Sequence, residues 1–162
     1  MTEKSVGKEF LELAIEIEKN GRFFYESVAR HDRTKEVRDI FARLAAREKE
    51  HENTYREMLN RLGGYKPTQN YPGEHYQYIR NLADSSIFTG ERARRLLLNK
   101  VITDVEALET GIGFEKDSIL FYSEMRGMIP RQEQEIVDII ISEEKKHLSE
   151  LTYMANKIKS GP

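Results

Sequence analysis

Two stretches of this 162-residue sequence set a carboxylate three residues before an imidazole, Glu48-Lys49-Glu50-His51 and Glu144-Lys145-Lys146-His147. On an α-helix that spacing turns both groups along one face. A further glutamate precedes each pair, Glu18 and Glu115, and each of these is followed seven residues later by a tyrosine, Tyr25 and Tyr122. Four carboxylates and two imidazoles form an oxygen- and nitrogen-donor set. Iron or manganese suits such a set, and zinc also fits it. The chain contains no cysteine, which excludes disulfide scaffolds, thiolate zinc sites and cysteine nucleophiles.

The two sets belong to an internal repeat. Ile15-Glu16-Ile17-Glu18-Lys19-Asn20-Gly21-Arg22-Phe23-Phe24-Tyr25 lies over Ile112-Gly113-Phe114-Glu115-Lys116-Asp117-Ser118-Ile119-Leu120-Phe121-Tyr122, with Ile, Glu, Lys, Phe and Tyr matching in register. From the first glutamate of each half, the offsets to Tyr, Glu and His are 7, 30, 33 and 7, 29, 32. Register kept over that distance indicates two copies of one structural unit.

The elements that must carry these residues are helices, because the pattern between glycine and proline breaks has helical rather than strand-type periodicity. Four long segments are expected. The first runs from about Ser5 to Ala29, and the second from an N-cap at Thr34 to Leu62. The third opens with a capping box at Thr103-Asp104-Val105-Glu106 and closes near Gly127, and the fourth runs from Pro130 to about Lys159. Short connections make each consecutive pair an antiparallel hairpin. Residues 63–103 form a crossover long enough to traverse the bundle, with short helices expected at Glu74–Ala83 and Glu91–Lys100. The expected fold is all-α, a single domain over residues 1–162 made of two hairpins joined by that crossover.

Each long segment then carries a glutamate in the middle of its apolar stripe. The stripes read Leu11, Ala14, Glu18, Gly21, Tyr25, Val28; Val37, Phe41, Leu44, Glu48, His51, Tyr55, Met58, Leu62; Leu108, Ile112, Glu115, Ile119, Tyr122; and Val137, Ile140, Glu144, His147, Leu151, Met154, Ile158. Burying an uncompensated carboxylate costs several kcal/mol, and four would unfold a domain of this size. Two divalent cations neutralise four glutamates when both imidazoles are neutral. The bland alternative is a buried ion-pair network that fixes helix register.

With these residues in place, the sequence resembles the ferritin-like superfamily, nearest to its rubrerythrin and bacterioferritin branch. Di-iron carboxylate bundles of that kind take a Glu from each of two helices and a Glu-x-x-His from each of the other two. The resemblance implies a ferritin-like four-helix bundle holding two iron ions. It implies Glu18 and Glu115 as terminal ligands, Glu48 and Glu144 as bridging ligands, and His51 and His147 as terminal nitrogen ligands. Two features depart from rubrerythrins: there is no cysteine for a rubredoxin domain, and Ile112 and Ser118 flank Glu115 where an extra glutamate stands one turn away. Tyr25 and Tyr122 are candidates for hydrogen-bonding ligands or passing electrons, with ordinary core packing as the alternative. Glu109, Glu143 and Glu150 read as solvated helix flanks, with Glu150 also placed to support His147. His31, His75 and the cluster Arg92, Arg94, Arg95 read as surface residues.

Composition bounds the rest. A net charge of −2 argues against the basic field of a nucleic-acid binder, and no apolar run approaches a membrane span. With no signal-peptide core at Met1–Ser5, a cytoplasmic protein is expected. The expected function is a non-haem di-iron oxidoreductase that reacts with peroxide or dioxygen, draws electrons from a separate donor and works as a homodimer. The alternative is iron handling, meaning ferroxidation, binding or storage.

Overall fold

A computed structural model of the chain describes residues 6–31, 33–63, 73–85 and 103–161. Within these residues the chain is all-α, with five α-helices and no strand. They are α1 (Val6–Arg30), α2 (Lys35–Leu62), α3 (Gly73–Ser85), α4 (Asp104–Met125) and α5 (Arg131–Ser160), with a 3₁₀ turn over Arg126–Met128 before α5. The helix at Glu74–Ala83 is present as α3. The one expected at Glu91–Lys100 and the cluster Arg92, Arg94, Arg95 lie outside the described residues. None of the described helices is long and apolar enough to cross a membrane.

Local sequence explains where the helices begin. At α4 the Thr103 hydroxyl accepts from the Glu106 amide at 3.2 Å and the Glu106 carboxylate accepts from the Thr103 amide at 2.7 Å, a reciprocal capping box. Thr34 sits at the N-cap of α2 but makes no side-chain cap. Its hydroxyl donates instead to Asp104 Oδ2 at 3.4 Å, and Arg33 bonds the same carboxylate at 3.1 Å. The α1–α2 turn is thereby tied to the start of α4. Pro130 stands one residue ahead of α5, where its missing amide hydrogen costs nothing.

α1 packs along α2 and α4 along α5, each pair closed by a short turn, so both are antiparallel hairpins. Between the hairpins, Tyr25 of α1 reaches Glu115 of α4 while Tyr122 of α4 reaches Glu18 of α1. α1 and α4 are therefore antiparallel, and α2 and α4 run the same way. Only a connection spanning the bundle's length can join two parallel helices, which is why the segment between α2 and α4 is long. α3 lies on this path and packs against α4. Tyr76 and Arg80 also anchor α3 to Glu9 of α1, at 2.8 and 2.7 Å.

The core runs the length of the bundle and is rich in aromatic rings, among them Phe10, Phe24, Tyr25, Phe41, Phe114, Phe121 and Tyr122. On α1, α2 and α5 the buried stripe is the one read from the sequence, except that Ile158 is only partly buried. On α4 the register differs. Ile112 and Ile119 are partly buried, and the buried positions beside Glu115 are Gly111 and Ser118. The large isoleucines fill the shoulder between helices, and the small residues face the axis.

Gly21 shows how tightly the centre of the bundle is filled. A Cβ there would lie 2.2 Å from Phe114 Cζ and 3.1 Å from Glu48 Oε2. Phe114 is fully buried and packs edge-on against Tyr25 at 5.7 Å, so its ring has nowhere to move. At an exposed helical position Gly→Ala gains about 1 kcal/mol. Here Gly21→Ala is expected to lose about 1–3 kcal/mol through overpacking, measured as a lower midpoint in chemical denaturation.

Candidate metal centre

α1, α2, α4 and α5 each turn a glutamate inward at the same level, and all four of Glu18, Glu48, Glu115 and Glu144 are fully buried. His51 and His147 are 3 % and 7 % exposed and join them one turn further along α2 and α5. The structure thus brings together all six residues singled out in the sequence. They fall into two overlapping groups, Glu18, Glu48, His51, Glu144 and Glu48, Glu115, Glu144, His147, with one donor atom of each residue within 4.8 Å of the others. Glu48 and Glu144 are common to both. Each hairpin supplies three members of one group and borrows the fourth from the other hairpin.

Both imidazoles present Nδ1 to the carboxylates. His51 Nδ1 lies 2.8 Å from Glu144 and 3.6 Å from Glu18, and His147 Nδ1 lies 3.0 Å from Glu144 and 3.8 Å from both Glu48 and Glu115. The rings are nearly parallel, with centroids 5.9 Å apart. The terminal glutamates are braced across the bundle: Tyr25 donates to Glu115 at 2.6 Å and Tyr122 donates to Glu18 at 2.5 Å. Burial and the adjoining carboxylates push both phenols well above their ordinary range, so they remain donors.

What these bonds leave over is informative. Glu18 Oε2, both oxygens of Glu48 and Glu115 Oε2 are buried with no hydrogen-bond donor among the described residues. Burial, reinforced by the neighbouring carboxylates, raises the Glu48 and Glu115 carboxyls well above the usual range. Burial alone would also raise Glu144, but hydrogen bonds from His147 and His51 outweigh it and hold that carboxyl low. Burial alone would lower His51, but Glu18 and Glu144 push it up to about 12. Orphaned acceptors close to one another, with imidazole nitrogens beside them, suit divalent cations.

Glu143 corrects the sequence reading. It is not simply a solvated flank, because its carboxylate bonds His51 Nε2 at 2.8 Å, on the side of the ring away from the cluster. That bond holds the Glu143 carboxyl below its usual range and leaves Nδ1 as the free donor to a metal. Glu109 and Glu150 are flanks, ion-paired with Lys159 and Arg43. Glu150 also borders a small surface cleft whose floor includes His147. His31 is exposed and His75 half-buried near Glu124, both away from the cluster.

Two outcomes are expected. Without metal, the fold holds protons that the unfolded chain has released, on Glu48 and Glu115 above about pH 4.5 and on His51 above about 6.5. Stability of the metal-free protein should therefore fall as pH rises from about 5 to 8. Glu144 acts in the opposite sense, but only in acid, where its contribution is lost as pH falls below about 4.5. Metal uptake should expel protons, with Glu48, Glu115 and His51 as their sources, so the melting temperature of loaded protein should rise over the same range. Thermal melts of both forms across that range test this, and a metal-free melting temperature that climbs with pH would contradict it. Separately, Glu143→Ala should weaken metal binding about 10- to 100-fold while the helices persist, read by competition with a chelator.

Comparison with known proteins agrees with this geometry. No curated protein matches the chain. Among solved structures, the chain is similar to a protein from Thermotoga maritima described as ferritin-like and diiron-carboxylate. The two are 27 % identical with a TM-score of 0.69, and the match covers 95 % of this chain and 96 % of the other. The rubrerythrin family matches residues 9–155, which include all six members of the cluster. With its fold, its buried carboxylate–histidine cluster and that match together, the chain belongs to the rubrerythrin family of ferritin-like diiron proteins.

Proposed function

We propose that the chain is a non-haem di-iron oxidoreductase that reduces peroxide or dioxygen, its irons held by Glu18, Glu48, His51, Glu115, Glu144 and His147. The observation that carries this reading is the pair of ligand groups sharing Glu48 and Glu144. Two groups with two members in common suit two ions side by side rather than one ion or two independent sites. A reduced iron pair supplies two electrons to an O–O bond, which a single ferrous ion does not do alone.

The chain's own residues have distinct tasks. Glu48 and Glu144, shared between the groups, would set the spacing of the ions. Glu18 and Glu115 belong to one group each, and Tyr122 and Tyr25 donate to them. Each would serve one ion as a terminal ligand, oriented by its phenol. Glu143 fixes the His51 ring. The four ligand carboxylates and Phe114 are fully buried, which would keep bulk water from the reaction. No thiolate-ligated relay lies within this sequence, so electrons are assigned to a separate donor. A homodimer, rather than a large hollow cage, is the matching assembly, to be read by size exclusion of loaded protein.

Purified protein is expected to take up about two iron ions per chain. Glu48→Ala and Glu144→Ala should lose both, and Glu18→Ala mainly one, as measured by metal analysis. In anaerobic stopped-flow mixing, the diferrous protein should be oxidised by hydrogen peroxide or dioxygen at least tenfold faster than His51→Ala, roughly the loss expected for a damaged metal site. If neither oxidant outpaces that control, the oxidoreductase reading gives way to iron handling.

A further inference from the structure

The two half-repeats are alike at every ligand, and at two of the buried positions where they differ only one half carries a hydroxyl. Three residues after each terminal glutamate stand Gly21 and Ser118, and four residues after each histidine stand Tyr55 and Leu151. Gly21 and Leu151 complete an apolar wall. The ring tip of Phe114 covers Gly21, and Leu151 packs onto Gly111 beside Tyr25. Their counterparts bring oxygen instead. Ser118 is 1 % exposed and Tyr55 fully buried, and among the described residues neither hydroxyl has a hydrogen-bond partner.

Both spare hydroxyls are carried by neighbours of Tyr122, which donates to Glu18. Ser118 lies on the buried stripe of α4 between Glu115 and Tyr122, about one turn from each. The Tyr55 ring sits 5.2 Å from the Tyr122 ring, and Tyr122 donates to Glu18. The ligand carboxylates are acceptors, and Tyr25 and Tyr122 are already committed to Glu115 and Glu18. A buried hydroxyl without a partner is disfavoured, and two beside one centre are accounted for if a guest accepts from them.

We infer that Ser118 and Tyr55 are positioning residues whose hydroxyls donate hydrogen bonds to a small oxygen-donor guest, of the size of peroxide or dioxygen, seated at the Glu18–His51 end of the centre. The inference rests on the di-iron reading above. Charge develops on such a guest as it is reduced, and fixed donors in a water-poor site are the arrangement that stabilises it. The opposite end, walled by Phe114 and Leu151, offers no such donor among the described residues. The two metal positions are therefore chemically unlike although their ligand sets match.

Azide, a stable small anion, serves as the probe, titrated into diferric protein and followed by its charge-transfer absorbance. Ser118→Ala and Tyr55→Phe should each weaken azide binding about tenfold, the loss of one hydrogen bond to a charged acceptor. Iron content should be unchanged, and the melting temperature of the metal-free protein unchanged or higher, because each variant removes a buried hydroxyl that the fold does not use. Ser118→Thr, which keeps the hydroxyl, should bind azide within about twofold of the original chain, whereas the isosteric Ser118→Val should not. This pair carries the comparison if Ser118→Ala fails to load. Full iron content with undiminished azide affinity in Ser118→Ala and Tyr55→Phe overturns the inference and leaves the di-iron reading standing. Equal weakening in Ser118→Thr and Ser118→Val assigns Ser118 to packing and likewise overturns it. An original chain that binds no iron removes both readings.

Discussion

Four carboxylates held out of water at one level of a helical bundle are the constraint to which the rest of this structure answers. Each would cost several kcal/mol if left charged and unpaired, a sum comparable with the whole stability of a domain this size. The fold compensates only partly. Two phenols, two imidazoles and retained protons on Glu48 and Glu115 offset some of the cost, yet several oxygens keep no donor. Among the described residues no further donor bonds those oxygens. The long apolar stripes of α1, α2, α4 and α5 supply the burial energy that holds the cluster together before any cation arrives.

The repeat explains how so much polarity is placed so regularly. Each hairpin carries Glu, Tyr and Glu-x-x-His at nearly the same offsets, and each tyrosine crosses to the other hairpin's terminal glutamate. Antiparallel α1 and α4 make that exchange reciprocal, because seven residues along one helix reaches the level of the other's glutamate. Departures from the repeat are local. Glu143 precedes Glu144 and orients His51, whereas the equivalent position before Glu48 is Arg47, which pairs outward with Glu50.

The helices and the six inward residues were legible because polar side chains on a 3.6-residue apolar stripe contradict simple amphipathicity, and no other pattern in the chain does so twice. The capping box at Thr103 and Glu106 was legible for a similar reason, since it is a local exchange between neighbours. The face of α4 was not. That helix is apolar around much of its circumference, so Ile112 and Ile119 attracted the stripe, while Gly111 and Ser118 occupy it through close packing against α1 and α5. Glu143 was hidden differently: adjacent residues diverge by about 100° around a helix. Only the docking of α2 on α5 shows that the outer nitrogen of His51 lies in its direction. The acidic doublet Glu143-Glu144 was the available signal, present in one half-repeat and missing from the other.

The crossed tyrosines also bear on how the molecule is made. Their bonds join residues 90 and 104 positions apart, and each ligand group borrows a glutamate from the other hairpin. While α1 and α2 are the only helices formed, the chain presents Glu18, Glu48 and His51 without Glu144 and without the phenol of Tyr122. A nascent hairpin thus holds only part of either donor group, and both groups are complete only when the C-terminal half docks. Selection of the ion is deferred to the finished fold, where geometry rather than a stray cluster of acids decides what is kept.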